Sequence, residues 1–191
     1  MFEVDQPDMS LEKQHSLTEL GVNSDHVTFV PCDFNRSKIS EVLFACEGFD
    51  RTRATFFLWE GVQVYLRPET VDETFAEVRA VAKDAKAAYL WLTLADIRAT
   101  QHQGSASQGK SLYGASQFYE YAARMGERVM SGIDPRTLPQ YLEERGYELY
   151  DGAASYPGHM TPSAKDKIFL LSHELIRTSE VFHNALCRVV Q

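Results

Sequence analysis

The chain has 191 residues, 44% of them apolar and 12% aromatic, and carries a formal charge of −8. That apolar content suffices for one sizeable core and excludes a disordered polymer, while the length is short for two independent domains, so residues 1–191 are expected to form one. No lysine- or arginine-rich block marks a nucleic-acid-binding face, and no apolar run approaches the ~20 residues that span a bilayer.

Cys32, Cys46 and Cys187 fall at no metal-ligand spacing and the six histidines are dispersed, so no metal site is expected. The amino terminus, Met-Phe-Glu-Val-Asp, lacks a basic region followed by an apolar core, and reduced thiols fit a cytoplasmic setting.

Phe2–Val4 is a short apolar strand ending at Asp5, and Pro7 prepares a helix start. The spacing of Met9, Leu17 and Leu20 predicts a helix over Asp8–Leu20, stopped by Gly21. Val27–Val30 is β-branched and aromatic, a second strand closed by Pro31. Ile39, Val42, Leu43 and Cys46 predict a helix over Ile39–Cys46. Thr55–Trp59 is the strongest strand, apolar on both faces as a central parallel strand between two helical layers would be. An amphipathic helix over Pro68–Lys83 and an apolar strand over Ala87–Leu94 follow. Gln101–Ser111 is a polar loop or lid, and Ser116–Met125 a helix. Asp134-Pro135 opens a further helix that ends at Gly146. Tyr147–Tyr150 is a strand, His159–Pro162 a loop and Phe182–Val190 a last strand. Alternating strands and helices predict an α/β fold with a largely parallel sheet.

Ligands of open α/β sheets bind beyond the carboxyl ends of the strands. Asp5, Asp33 and Glu60 stand at three such ends. Carboxylates there accept hydrogen bonds from ribose hydroxyls or an exocyclic amine, and lie well beside a sulfonium cation. Each also has a purely structural role open to it: Asp5 as a helix cap, Asp33 in an Asx-turn, Glu60 paired with Arg67.

The segments carrying these acids resemble one family. Phe2-Glu-Val-Asp-Gln-Pro7 is similar to its F-E-V-D-x-P segment, and Phe29-Val-Pro-Cys-Asp-Phe-Asn-Arg36 to the stretch after its third strand. Glu60-Gly-Val-Gln-Val-Tyr-Leu-Arg-Pro-Glu69 resembles its fourth-strand signature E-G-V-x-x-Y-L-x-P-E. Gly132-Ile-Asp-Pro135 and Leu142-Glu-Glu-Arg-Gly146 resemble the helix before its sixth strand. On these residues the chain resembles the leucine carboxyl methyltransferase-like family of class I S-adenosylmethionine-dependent methyltransferases.

The resemblance implies a class I methyltransferase (Rossmann-like) sheet flanked by helices, S-adenosyl-L-methionine as cofactor, and a role for each acid. Asp5 matches the acid on the cofactor ribose, Asp33 with Phe34 the pair beside the adenine, and Glu60 the acid beside the methionine portion. Tyr65 matches a tyrosine that faces the substrate; a core aromatic is the structural alternative. Arg67 and Glu69 are expected to cap the next helix. The implied acceptor is a carboxylate, or a hydroxyl, of a small molecule or peptide. An ionised carboxylate needs no general base, so positioning and exclusion of water would carry the catalysis. Tyr113, Tyr119 and Tyr121 are candidates for a substrate pocket.

The family's first strand, glycine-rich loop and D-T-R motif have no counterpart here, and no G-x-G-x-x-G occurs. In the family sheet order 3-2-1-4-5-7-6, strands two and three would then pair with strand four, dangle, or borrow a strand from another chain through exposed edges. Two other readings compete with an active O-methyltransferase. One is a non-catalytic remnant acting as an interaction module. The other, a different doubly wound nucleotide-binding enzyme, is disfavoured by the fourth-strand signature.

Overall fold

A computed structural model of the chain describes residues 1–34, 36–95, 124, 126, 129–149 and 182–190. The expected loops at Gln101–Ser111 and His159–Pro162, most of the Ser116–Met125 helix, and Tyr113, Tyr119 and Tyr121 lie outside the described residues.

The described elements run in the predicted order: β1 (Phe2–Asp5), α1 (Pro7–Glu19), β2 (Thr28–Pro31), α2 (Ile39–Phe44), β3 (Thr55–Trp59), α3 (Pro68–Ala82), β4 (Ala88–Ala95), α4 (Leu138–Glu143), β5 (Tyr147–Leu149) and β6 (Phe182–Val189). Single 3₁₀ turns at Gln63–Tyr65 and Pro135–Thr137 precede α3 and α4. Pro7 and Pro68 occupy the first turns of their helices, where a missing N–H costs nothing.

The described strands form two sheets. β1 and β2 pair in parallel, and β3-β4-β6-β5 make a four-stranded sheet. These are the two halves that the order 3-2 and 4-5-7-6 anticipated. Strands two and three of that order do not pair directly with strand four; among the described residues they stay a pair of their own. The largely parallel sheet expected from the alternation is corrected as well. β3 and β4 are parallel, whereas β6 runs antiparallel to both β4 and β5. Composition could not have fixed this, because a buried apolar strand reads the same in either direction.

The main core lies between the four-stranded sheet and α3. Val71, Phe75, Val78 and Ala82 recur at four- and three-residue steps, so one helix face is buried against Leu90, Leu92, Leu94, Ala185 and Cys187. Burial of each large apolar side chain contributes about 1.5–3 kcal/mol. Phe75 is the hub: its ring meets Trp59, Tyr147 and Tyr141 edge-on at 5.3, 5.0 and 6.0 Å. A second cluster of Val30, Leu43 and Val81 gathers Phe2, Val4 and Phe57, so the two sheets share packed side chains. Glu77 of α3 accepts the Ser40 N–H at 3.0 Å and the Ser40 hydroxyl at 2.6 Å, satisfying the first turn of α2 from a neighbouring helix.

Two packing expectations change. Along β3 Thr55, Phe57 and Trp59 face inward, and Phe56 and Leu58 remain 60% and 64% exposed. The strand is apolar on both faces but covered on one. In α1 the inward positions are Ser10, which is buried, and the half-buried Gln14 and Leu17, whereas Met9 and Leu20 are exposed. The Gln14 carboxamide donates to the Ser10 carbonyl and hydroxyl, so the inward face of this helix is partly polar and carries its own hydrogen bonds.

Candidate functional site

The carboxyl edge of the β1–β2 pair is set by its register. Asp5 lies opposite Pro31, and the Asp5 carbonyl accepts the Cys32 N–H at 2.8 Å, one step past the ladder. Asp33 follows two residues beyond Pro31, so both acids stand at the same end of two parallel neighbours.

Asp5 is half-buried, and its Oδ1 accepts the N–H of Gln6 at 2.7 Å. Gln6 occupies the cap position of α1, which receives no side-chain cap, so Asp5 is not that helix's N-cap. Among the described residues Asp5 makes no other side-chain hydrogen bond, which leaves carboxylate acceptor sites for a ligand's donors.

Asp33 begins a tight turn through its backbone, its carbonyl accepting the N–H groups of Arg36 and Ser37, each at 2.9 Å. Its side chain is half-buried and pairs with the exposed Arg36, Nε to Oδ2 at 3.4 Å. Phe34, beside it in the turn, is half-buried. The buried Cys32 immediately before has its thiol pushed up by burial and then by the charges of Asp33 and Glu77, so it stays protonated near neutrality.

Glu60 leaves the end of β3 in the other sheet, where Trp59 is clamped against Phe75. It is exposed and makes no ion pair among the described residues; the expected partner Arg67 is instead the exposed cap residue of α3 and donates no side-chain cap bond. Gly61 then takes φ +71°, a left-handed conformation, and lets the chain turn straight from the strand end into the 3₁₀ turn that carries Tyr65. Tyr65 is half-buried. Thus the structure brings Asp5, Asp33 and Phe34 to one sheet edge, and Glu60 and Tyr65 to the end of β3. Among the described residues no group of three or more histidine, cysteine or acidic side chains could hold a metal.

Residues 1–79 match the model of a family described as leucine carboxyl methyltransferase, and this span contains all five of these residues. Over 83 residues the chain is 36% identical to a candidate S-adenosyl-L-methionine-dependent methyltransferase of Mycolicibacterium gilvum (strain PYR-GCK), covering 43% of this chain and 26% of that protein. Among solved structures it is similar to the pyocyanin biosynthetic protein PhzM (TM-score 0.54, 8% identity, 99% of this chain and 42% of that one). It is also similar to the mitomycin 7-O-methyltransferase MmcR (TM-score 0.53, 12% identity, 99% and 41%). At such identities these likenesses speak for the fold, an α/β class I methyltransferase fold with mixed strands flanked by helices. The chain spans about a quarter of its curated relative and about two fifths of these solved structures.

The residues that sequence reading passed over are Gln63 and Ser131. Gln63 is fully buried and Ser131 nearly so, and the two are hydrogen-bonded across 68 residues of sequence. The one available signal was a carboxamide between Val62 and Val64, inside an otherwise apolar part of the signature.

Proposed function

We propose that this chain supplies the cofactor-binding edge of an S-adenosylmethionine-dependent O-methyltransferase whose acceptor is a carboxylate, or a hydroxyl, of a small molecule or peptide. The observation that carries the reading is the β1–β2 register, which sets two acceptor-only side chains, Asp5 and Asp33, at one carboxyl edge. The donor set fits the cofactor: ribose hydroxyls would meet Asp5, the adenine amine Asp33 beside the Phe34 ring, and the positively charged methionine portion the exposed Glu60. When bound, S-adenosylmethionine supplies an electrophilic methyl group on a sulfonium. The chain's own part is to bind and orient. Asp5 is held by the Gln6 N–H, Trp59 anchors the strand that delivers Glu60, and Tyr65, in the following turn, would contact the acceptor. A carboxylate acceptor is ionised at neutral pH, so none of these residues has to remove a proton.

The test is calorimetric titration of S-adenosylmethionine or S-adenosylhomocysteine into the chain, with Glu60→Gln in parallel. Micromolar affinity that weakens in Glu60→Gln is the expected result. No heat up to millimolar cofactor would sink the proposal, and unchanged affinity in the variant would remove Glu60 from the site.

A second reading is favoured by the sheet edges. Among the described residues β1 pairs only with β2 and β3 only with β4, and β3 also exposes Phe56 and Leu58. Strand edges of this kind recruit further strands, so self-association through them would make the chain an interaction module. No described helix is long and apolar enough to cross a membrane.

A further inference from the structure

The turn that follows Glu60 is held by hydrogen bonds from a distant part of the chain. Gln63 Nε2 donates to Ser131 Oγ at 2.6 Å, and the Ser131 hydroxyl donates to the Gln63 carbonyl at 2.8 Å. A serine hydroxyl has one donor and two acceptor sites, so both bonds coexist and close a ring. The Met130 and Ser131 N–H groups add bonds to the Val64 carbonyl at 2.7 and 3.3 Å. Two residues on, Ile133 is buried in the main core, which anchors this segment.

Within the turn Val64 is buried and Leu66 packs against the main core. The turn is closed by Tyr65 N–H to Val62 O and Leu66 N–H to Gln63 O, at 3.0 and 3.1 Å. Glu60, Gly61 and Val62 before it are exposed, and a Cβ at Gly61 would meet no atom within 4 Å. A fully buried carboxamide is costly unless every bond is made, so its presence at 63 specifies one arrangement of turn and segment.

We propose that Gln63 and Ser131 are positioning residues: their buried ring sets the pitch of the Glu60–Tyr65 turn, and so couples ligand binding at that turn to the 129–134 segment. The ligand half of this inference rests on the reading of Glu60 as cofactor-facing; the positioning half does not.

The experiment compares Ser131→Ala, Gln63→Met and the double variant with a control, Tyr147→Phe, which removes a buried hydrogen bond far along the sheet. S-adenosylhomocysteine affinity, thermal midpoint and amide exchange at Tyr65 and Leu66 are read for each. Each single variant is expected to weaken affinity about tenfold, the size of one to two ordinary hydrogen bonds. The double variant should be little worse than either single one, because both break the same ring. Exchange at Tyr65 and Leu66 should quicken in these variants alone, and Tyr147→Phe should lower the midpoint while leaving affinity intact.

Wild-type affinity and exchange in Ser131→Ala and Gln63→Met would overturn the proposal, as would an equal loss of affinity in Tyr147→Phe. If the wild-type chain binds no cofactor, the functional reading fails on its own. The positioning claim is then decided by exchange: faster at Tyr65 and Leu66 in Ser131→Ala than in Tyr147→Phe upholds it, and equal rates overturn it.

Discussion

Asp5 stands opposite Pro31 in the parallel ladder of β1 and β2, and its backbone carbonyl takes the N–H of the next residue, Cys32, at 2.8 Å. This places the Asp5 carboxylate and the turn begun by Asp33 at one edge, with Asp5 bonded only to the Gln6 N–H among the described residues.

Asp5→Asn keeps an oxygen to accept the Gln6 N–H but loses the charge and an acceptor, so the fold should persist while ligand affinity falls. A hydrogen bond to a charged group contributes about 1.5–3 kcal/mol, so tenfold or greater weakening of S-adenosylhomocysteine binding is expected by calorimetry. Asp33→Asn should act in the same direction. Unchanged affinity in both would remove this edge from the site.

Tyr147 ties β5 to α3: its buried hydroxyl donates to the Phe75 carbonyl at 2.6 Å, and the two rings meet edge-on at 5.0 Å. Tyr147→Phe preserves the ring contact and removes the bond, at a cost of about 1 kcal/mol. Urea denaturation should show a lower midpoint with an unchanged slope. Phe75→Ala, which empties the hub of the aromatic cluster, should cost about 3–5 kcal/mol in the same measurement.

Stability should fall on the alkaline side. Burial pushes the Cys187 thiol from its ordinary 9.0 up to about 12, and the Tyr141 hydroxyl from 10.0 to about 12. The unfolded chain therefore loses these protons first, at pH 9 and 10, while the folded chain keeps them. Their contribution is fully present below pH 9 and is lost as pH rises towards 12. Urea midpoints measured from pH 7 to 11 should be flat to about 9 and then decline. Cys187→Ala should shallow the decline between 9 and 10 without abolishing it, because the buried Cys32 is shifted in the same sense. A decline that begins below pH 8 would contradict this assignment.

The exposed side of β3 makes a prediction about association. Phe56 and Leu58 project from a strand paired on one side only among the described residues, so the chain should self-associate in sedimentation at tens of micromolar. Phe56→Lys with Leu58→Lys should shift it towards monomer with little change in thermal midpoint, since neither side chain is in the main core. Equal sedimentation of variant and wild type would rule this face out.

Much of this fold was legible because local chemistry and tertiary context agree. Pro7 and Pro68 mark helix starts, Thr55–Trp59 is a strand to the residue, and the spacing of Val71, Phe75 and Val78 gives the buried face of α3. Where they diverge, the sequence misleads. Met9 and Leu20 looked like the inward face of α1, yet Ser10 and Gln14 face inward, because a polar pair that bonds to itself is tolerated under partial burial. The acids of the candidate edge were legible by position alone. The Gln63–Ser131 ring was not, since nothing local links residues 68 positions apart.

Local sequence carries the order of the described elements, the strand ends at Asp5, Asp33 and Glu60, and the likeness of residues 1–79 to the leucine carboxyl methyltransferase family model. These follow from side-chain periodicity, turn chemistry and a signature, all of which are local. Packing in space settled that β6 runs antiparallel between β4 and β5, that among the described residues β1–β2 is a sheet of its own, and that one face of β3 is left exposed. Those are choices of pairing partner. They depend on which backbone edges and apolar faces meet in space, and a strand's own residues do not encode its neighbour.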